Sequence, residues 1–273
     1  MKIVRIVTLA VFLLSVLLWG LGKYHAMNQD KTPPVIYSES QEIHLSTSAD
    51  ETELKKGLTA TDNVDGDLTS DIVVANISHF SDQGVCKIQY LVFDKSNNLG
   101  YYERTVYFDD YESPRISLTA PLMYIQNKEI ILTDRIFATD CMEGDISDKL
   151  RFSSSGASIY EIGVYELYVE VRNSFGDIVK ETLLLNVVPY EKNSGTIELT
   201  EYLIYVSVGD VISPEVYIGN VFDNNGNLIP LESVIITKEV DTSNPGTGQY
   251  RYEIKDENGN VAAVTYLAVI VTE

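Results

Sequence analysis

The sequence predicts an all-β chain of three tandem two-sheet sandwiches behind one apolar helix, and three observations predict it. First, Asp62-Asn63-Val64-Asp65-Gly66-Asp67-Leu68 is echoed by Asp140-Cys141-Met142-Glu143-Gly144-Asp145-Ile146. A shorter copy is Asp223-Asn224-Asn225-Gly226-Asn227-Leu228, and Gly84, Gly163 and Gly246 each stand ten residues ahead of Asp94, Asn173 and Asp256. Both markers recur in steps of about 80 residues, the signature of a tandem array. Second, the segment after each marker glycine alternates: Tyr165, Leu167, Val169 and Val171 interleave with Glu166, Tyr168, Glu170 and Arg172. That period of two belongs to strands with one buried and one wet face. Third, Ile6 to Gly22 is an unbroken uncharged run, and no stretch beyond it holds a helical apolar period.

The N-terminal segment, residues 1–27, carries Lys2, Arg5 and Lys23 and no acid. At 1.5 Å per residue the apolar run spans ~25 Å, and Ile3 and Val4 extend it toward the ~30 Å hydrocarbon core if Arg5 snorkels. Trp19, the only tryptophan, sits near the outer end, where interfacial aromatics belong. The basic end should stay in the cytoplasm, making a single-pass protein of the cell membrane with its bulk extracellular. The competing reading is a signal peptide cleaved near Gly22 and a secreted product. An Ala-x-Ala site is missing, since Tyr24 stands two positions before Ala26, which favours the uncleaved anchor.

Residues 28–34 (NQDKTPP) form a short polar linker ending in a proline pair. Module one covers 35–110, with strands expected at Val35–Ser38, Gln41–Leu45, Glu53–Ala60, Asp71–Ser78, Val85–Phe93 and Tyr101–Phe108. Valine, isoleucine and tyrosine dominate these segments, while Gly, Asn and Asp punctuate the joints. Cys86, Ile88, Tyr90 and Val92 fall on the inner face, so Cys86 reads as a small core residue. Modules two and three cover 111–190 and 191–273; in the third, Tyr250, Tyr252 and Ile254 take the inner positions against Arg251, Glu253 and Lys255. The strand in each is followed by a turn of hairpin type: Asp94-Lys95-Ser96-Asn97-Asn98, Asn173-Ser174-Phe175-Gly176, and Asp256-Glu257-Asn258-Gly259-Asn260. Small all-β modules of six or seven short strands read as antiparallel sandwiches of immunoglobulin type. Cys86 and Cys141 lie in different modules, so both are expected free, and packing must hold the folds.

The segments KTPPVI, GLTATDNVDGDLTSDI and YLVFDKSNNLGYYERTVYFDD together resemble the bacterial surface immunoglobulin-like repeat, the kind found in pesticidal crystal proteins and HYR-like modules. Module one matches along nearly its whole length. Module two keeps the frame with Ser113-Pro114 for the proline pair and Glu143 for Asp65, and module three is degenerate, with Asn227 for the second acid. The resemblance implies extracellular, modular, non-catalytic domains used as spacers or adhesive units, and it implies no particular ligand.

Net charge is −20, and all the acids lie beyond residue 27. So acidic a surface repels phosphates, which argues against nucleic acid as a partner and suits solubility or cation binding. The acidic loops offer hard oxygens held tight by glycine: Asp62, Asp65 and Asp67 in module one, Asp140, Glu143 and Asp145 in module two. With Asp109 and Asp110 at the first junction they are candidate calcium ligands; no other cofactor is expected. Against this, Asp-Gly turns arise for backbone reasons alone, and the spacing fails the EF-hand template. The eighteen tyrosines, including Tyr101-Tyr102 and Tyr202/Tyr205, allow a polysaccharide-binding strip, but core filling explains strand tyrosines more economically. Three histidines (His25, His44, His79) form no metal pair, and no nucleophile elbow or phosphate loop occurs, so the chain is not expected to be an enzyme. The expected role is structural or adhesive, toward a surface protein or polysaccharide. The alternatives are an accessory or sensing ectodomain of an envelope complex, or a secreted carbohydrate-binding array.

Overall fold

The computed structural model describes residues 2–154, 158, 160–189, 195–237 and 240–273, with the backbone alone at 2–5 and 25–28. The chain is all-β after one N-terminal helix. That helix, α1 (Lys2–Asn28), contains a stretch, Ile6–Tyr24, long and apolar enough to cross a membrane, a test that a signal sequence also passes. The rest divides into two compact units, the first ending at Asp110 and the second running from Tyr111 to Glu273. The boundary expected at 190/191 falls outside the described residues.

The first unit contains β1 (Val35–Ser38), β2 (Glu42–Leu45), α2 (Glu51–Leu54), β3 (Leu58–Asp62), β4 (Gly66–Asp67), β5 (Val73–Ile77), β6 (Val85–Phe93) and β7 (Leu99–Phe108). One sheet has the order β1-β3-β4 and the other β2-β7-β6-β5. Cys86, Ile88, Tyr90 and Val92 are fully buried, as the alternation predicts, and Ile36, Leu58, Ala60 and Val106 of the same unit are buried as well. The strand expected over Glu53–Ala60 is corrected: a helical turn occupies its first part and β3 begins at Leu58. Asp50 accepts from the Glu53 amide at 2.9 Å while the Glu53 carboxylate accepts from the Asp50 amide at 3.3 Å. This capping box makes the turn locally stable where strand propensity is weak.

Arg104 is the unexpected member of this core. It is 2% exposed, yet among the described residues it forms no ion pair with a carboxylate. Its guanidinium donates to the carbonyls of Lys56 (2.9 Å) and Leu54 and to the Tyr90 hydroxyl (3.2 Å), and lies 5.3 Å over the Tyr90 ring. The Tyr90 hydroxyl in turn donates to the Leu54 carbonyl at 2.6 Å. The residue therefore clamps the end of α2 to the inner sheet.

Gly100, opposite Val92 in the β6–β7 ladder, is where the proline linker meets the sandwich. A Cβ there would stand 2.3 Å from the Pro34 carbonyl oxygen and 2.9 Å from Val92 Cγ1. The first contact is with backbone and cannot be relieved by a rotamer. Gly100→Ala should therefore cost roughly 2–3 kcal/mol by overpacking, which lowers the melting midpoint of the first unit by about 10–20 °C. Circular dichroism melts of the two proteins check this.

The second unit contains two strand sets. The first comprises β8 (Arg115–Leu118), β9 (Met123–Ile125), β10 (Ile136–Asp140), β11 (Gly144–Asp145), β12 (Arg151–Ser154), β13 (Gly163–Arg172) and β14 (Ile178–Val188), in sheets β11-β10-β8 and β12-β13-β14-β9. The second comprises β15 (Thr196–Leu199), β16 (Leu203–Ser207), β17 (Ile218–Phe222), β18 (Ile235–Thr237), β19 (Gly246–Lys255) and β20 (Val261–Thr272), in sheets β15-β17 and β16-β20-β19-β18. All three sets share a detail that the alternation does not reveal. An early short strand pairs parallel to the last one: β2 with β7, β9 with β14 and β16 with β20.

These two sets are packed into each other. Leu203, Ala268 and Ile270 belong to the same buried cluster as Ile116, Leu167, Leu183 and Val187. The Tyr205 hydroxyl donates to the Ile116 carbonyl at 3.2 Å, and the Arg115 guanidinium lies 4.6 Å over its ring. Tyr202 and Tyr205 are thus half-buried in packing, which removes them from any exposed aromatic strip. Asn186 and Gln249, 1% and 3% exposed, exchange two amide hydrogen bonds of 2.8 and 3.0 Å. Glu253, expected on the wet face, is 5% exposed and pairs with Arg251.

Candidate functional site

The acidic repeat forms the same loop in the first two strand sets and a hairpin-type turn closed by Asp223 and Asn227 in the third, and the comparison among them defines the site. In the first set, β3 ends at Asp62, whose Oδ1 accepts from the amides of Val64 (2.8 Å) and Asp65 (2.9 Å). Gly66 follows with φ +77°, the left-handed backbone that lets β4 return beside β3. The neighbouring β6–β7 turn is closed by Asp94, which accepts from the Asn98 amide at 2.7 Å and from its side chain at 2.6 Å. Asn97 takes the positive φ that this turn requires.

Residues 29–32 are drawn onto the same corner. The Asn98 side-chain amide donates to the Asp30 carbonyl at 3.0 Å, and Gln29 Nε2 donates to the Ser96 carbonyl at 3.2 Å. Asp30 Oδ1 accepts from the Thr32 amide at 3.0 Å. One carboxylate oxygen each from Asp30, Asp62 and Asp94 then lies within 4.8 Å of the others. Asp94 is 5% exposed. Asp62 keeps some exposure as a residue, but its Oδ2, like that of Asp30, is sealed from solvent and has no hydrogen-bond partner among the described residues. Each like-charge pair at such a separation repels by about 3 kcal/mol at an effective dielectric of about 20, so the corner is electrostatically costly as it stands.

Of the residues singled out from sequence, only Asp62 is in this group; Asp30 and Asp94 join it. Asp65 accepts from the Lys95 amide at 2.8 Å and pairs with its ammonium at 3.0 Å, contacts that hold its carboxyl below the ordinary value. Asp67 is held low by the Thr69 hydroxyl and amide. Asp109 bonds His44 Nδ1 at 2.7 Å, and Asp110 accepts from Ser46 Oγ and the Thr47 amide, each at 2.6 Å.

In the second strand set, Asp140 Oδ1 accepts from the Met142 and Glu143 amides. Its Oδ2 accepts from the Asn173 side-chain amide at 3.0 Å, which also reaches the Tyr111 hydroxyl at 2.9 Å. That hydroxyl donates to Asp177 at 2.8 Å; burial, then the Asp177 carboxylate, push its ionisation well above the ordinary value. A neutral amide donor thus stands beside Asp140 where carboxylates stand beside Asp62. Glu143 is occupied by Lys149 and by the amide and hydroxyl of Ser174; burial alone would raise its carboxyl, and these contacts outweigh it to leave it low. Asp145 is capped by Ser147, whose hydroxyl holds it low. In the third set, Asp223 accepts from Asn225 and Asn227, and Asp256 from Asn258 and Asn260, each through both oxygens.

The two cysteines are free. Burial pushes the Cys86 thiol up to about 11, consistent with an inert core residue, while exposed Cys141 donates to the Glu112 carbonyl at 3.2 Å.

The fold is an array of β-sandwiches behind one apolar helix. Compared with known proteins, no family model matches the chain. The chain is similar to the pesticidal crystal protein Cry22Aa of Bacillus thuringiensis, at 29% identity over 226 residues. That alignment takes in 79% of this chain but 30% of the crystal protein. Among solved structures, it is similar to a chain of CBM51-2 in complex with GlcNAc and INT domains from Clostridium perfringens ZmpB, at 16% identity and a TM-score of 0.24. That match covers 61% of this chain and 28% of the other. A second is the protocadherin γB4 extracellular domain, at 10% identity and a TM-score of 0.21, covering 88% of this chain and 50% of the other.

Proposed function

We propose that the chain is a bacterial cell-surface protein of three immunoglobulin-like domains, at 35–110, 111–190 and 191–273, related to the repeats of the pesticidal crystal proteins. Its role is structural or adhesive: a non-catalytic stalk that holds a binding surface away from the membrane. The observation that carries the reading is the architecture itself, one apolar helix followed, among the described residues, by successive β-sandwiches. Lys2 and Arg5 orient the helix with its N-terminus in the cytoplasm.

Expression of the full chain in a Gram-positive host tests this. The expected result is a full-length protein in the membrane fraction, released by detergent but not by salt, and digested by protease added to intact cells. A soluble product beginning after Gly22 would overturn the anchor and favour a secreted array. A membrane protein that co-purifies with stoichiometric partners would favour the accessory subunit of an envelope complex.

A further inference from the structure

We propose that Asp30, Asp62 and Asp94 bind one divalent cation of the calcium class, and that the ion fastens the segment after α1 to the first sandwich. This goes beyond the surface role, since it holds whether or not the helix is retained.

Three carboxylates by themselves would be only an acidic cluster. The independent observation is the enclosed, unpartnered Oδ2 on both Asp30 and Asp62, beside a third carboxylate that is itself buried. A buried carboxylate oxygen without a donor is unfavourable unless a cation supplies the missing charge. The span fits: oxygens on opposite sides of an ion with bonds of about 2.4 Å lie about 4.8 Å apart. Hard oxygens with no nitrogen or sulfur donor select calcium or magnesium over transition metals. The loops are ready-made for the task, because each carboxylate spends its other contacts on shaping its own turn, Asp62 on Val64 and Asp65, Asp30 on Thr32 and Asp94 on Asn98.

The other two strand sets act as internal controls. Where Asp62 Oδ2 lies without a donor beside Asp94 and Asp30, Asp140 Oδ2 accepts from the Asn173 side-chain amide, so a hydrogen atom occupies the place an ion would take. In the third set the turn aspartates are satisfied by their own asparagines. The proposal therefore assigns one ion per chain, and assigns it to the first set. Asp30 comes from outside the sandwich, so the ion closes a bridge between segments rather than stabilising one loop.

The test uses the full chain in detergent and calcium ion as the probe. Equilibrium dialysis should give one calcium per chain, and calcium should raise the melting midpoint of the first unit by several degrees over chelator. Asp30→Asn and Asp62→Asn should each weaken binding at least tenfold. In chelator the same variants should melt at or above the wild-type temperature, because each removes a repelling charge; a merely structural aspartate would lower it. Asp30→Asn changes a residue before the first strand, so its folding is not at issue. Asp223→Asn should leave stoichiometry unchanged. No bound calcium, or binding that survives both Asp30→Asn and Asp62→Asn, overturns the proposal.

Discussion

Replacing Arg104 by alanine should destabilise the first unit by about 3 kcal/mol, a large share of what a domain this size holds in reserve. The side chain is 2% exposed and serves the Lys56 and Leu54 carbonyls together with the Tyr90 hydroxyl. Removing it strands the Lys56 carbonyl, opens a cavity beside Tyr90 and frees the end of α2. Unfolding in urea should show a lower midpoint with unchanged slope, and amide exchange should accelerate first over residues 51–57. Arg104→Lys is the informative companion. It keeps the charge but not the planar fork, so it should recover only part of the loss. An alanine variant as stable as the parent would mean that the guanidinium is not the clamp described.

The second large effect concerns the way the two strand sets of residues 111–273 depend on each other. A chain ending at residue 189 loses Leu203, Ala268 and Ile270 from the cluster built on Ile116, Leu167 and Leu183. Burial of a Leu or Ile side chain is worth about 1.5–3 kcal/mol, and an Asn186 amide left without Gln249 costs about 1–3 more. The sum approaches the roughly 4–12 kcal/mol expected for a whole domain of ~80 residues. The shortened chain should therefore show the transition of the first unit and no cooperative transition for residues 111–189. In the intact chain, Gln249→Ala should cost about 2 kcal/mol and lower the exchange protection of β14 and β19 together. Loss confined to β19 would show that the amide pair does not couple the two sets.

Much of this was legible from the sequence, because repetition and alternation are local. The period of two correctly places Cys86, Ile88, Tyr90 and Val92 inside, and the turn chemistry of Gly66 and Asn97 follows from residue type. The misses share a cause. Arg104 lies in step with Val106 and Phe108 along β7, so parity alone points it inward; its charge argues the other way, and backbone carbonyls from a distant turn decide the matter. Asn186 interrupts an apolar run in β14, but its partner Gln249 is 63 residues away. The capping box rests on Asp50 and Glu53, three residues apart, but the four-residue helix it starts is too short to show an apolar period. Asp30 reads as part of a spacer, and only tertiary folding brings it to Asp62 and Asp94.

The parallel pairs bear on how such an array answers load. In the first set Glu42 to Leu45 lie beside Thr105 to Phe108, one strand near the start of the module and the other at its end. Tension applied between those two ends runs along the strands rather than across them. The ladder is then sheared, and its hydrogen bonds must yield together instead of parting one after another. The same geometry recurs between β9 and β14 and between β16 and β20, so each sandwich carries its own mechanical latch in line with the pull.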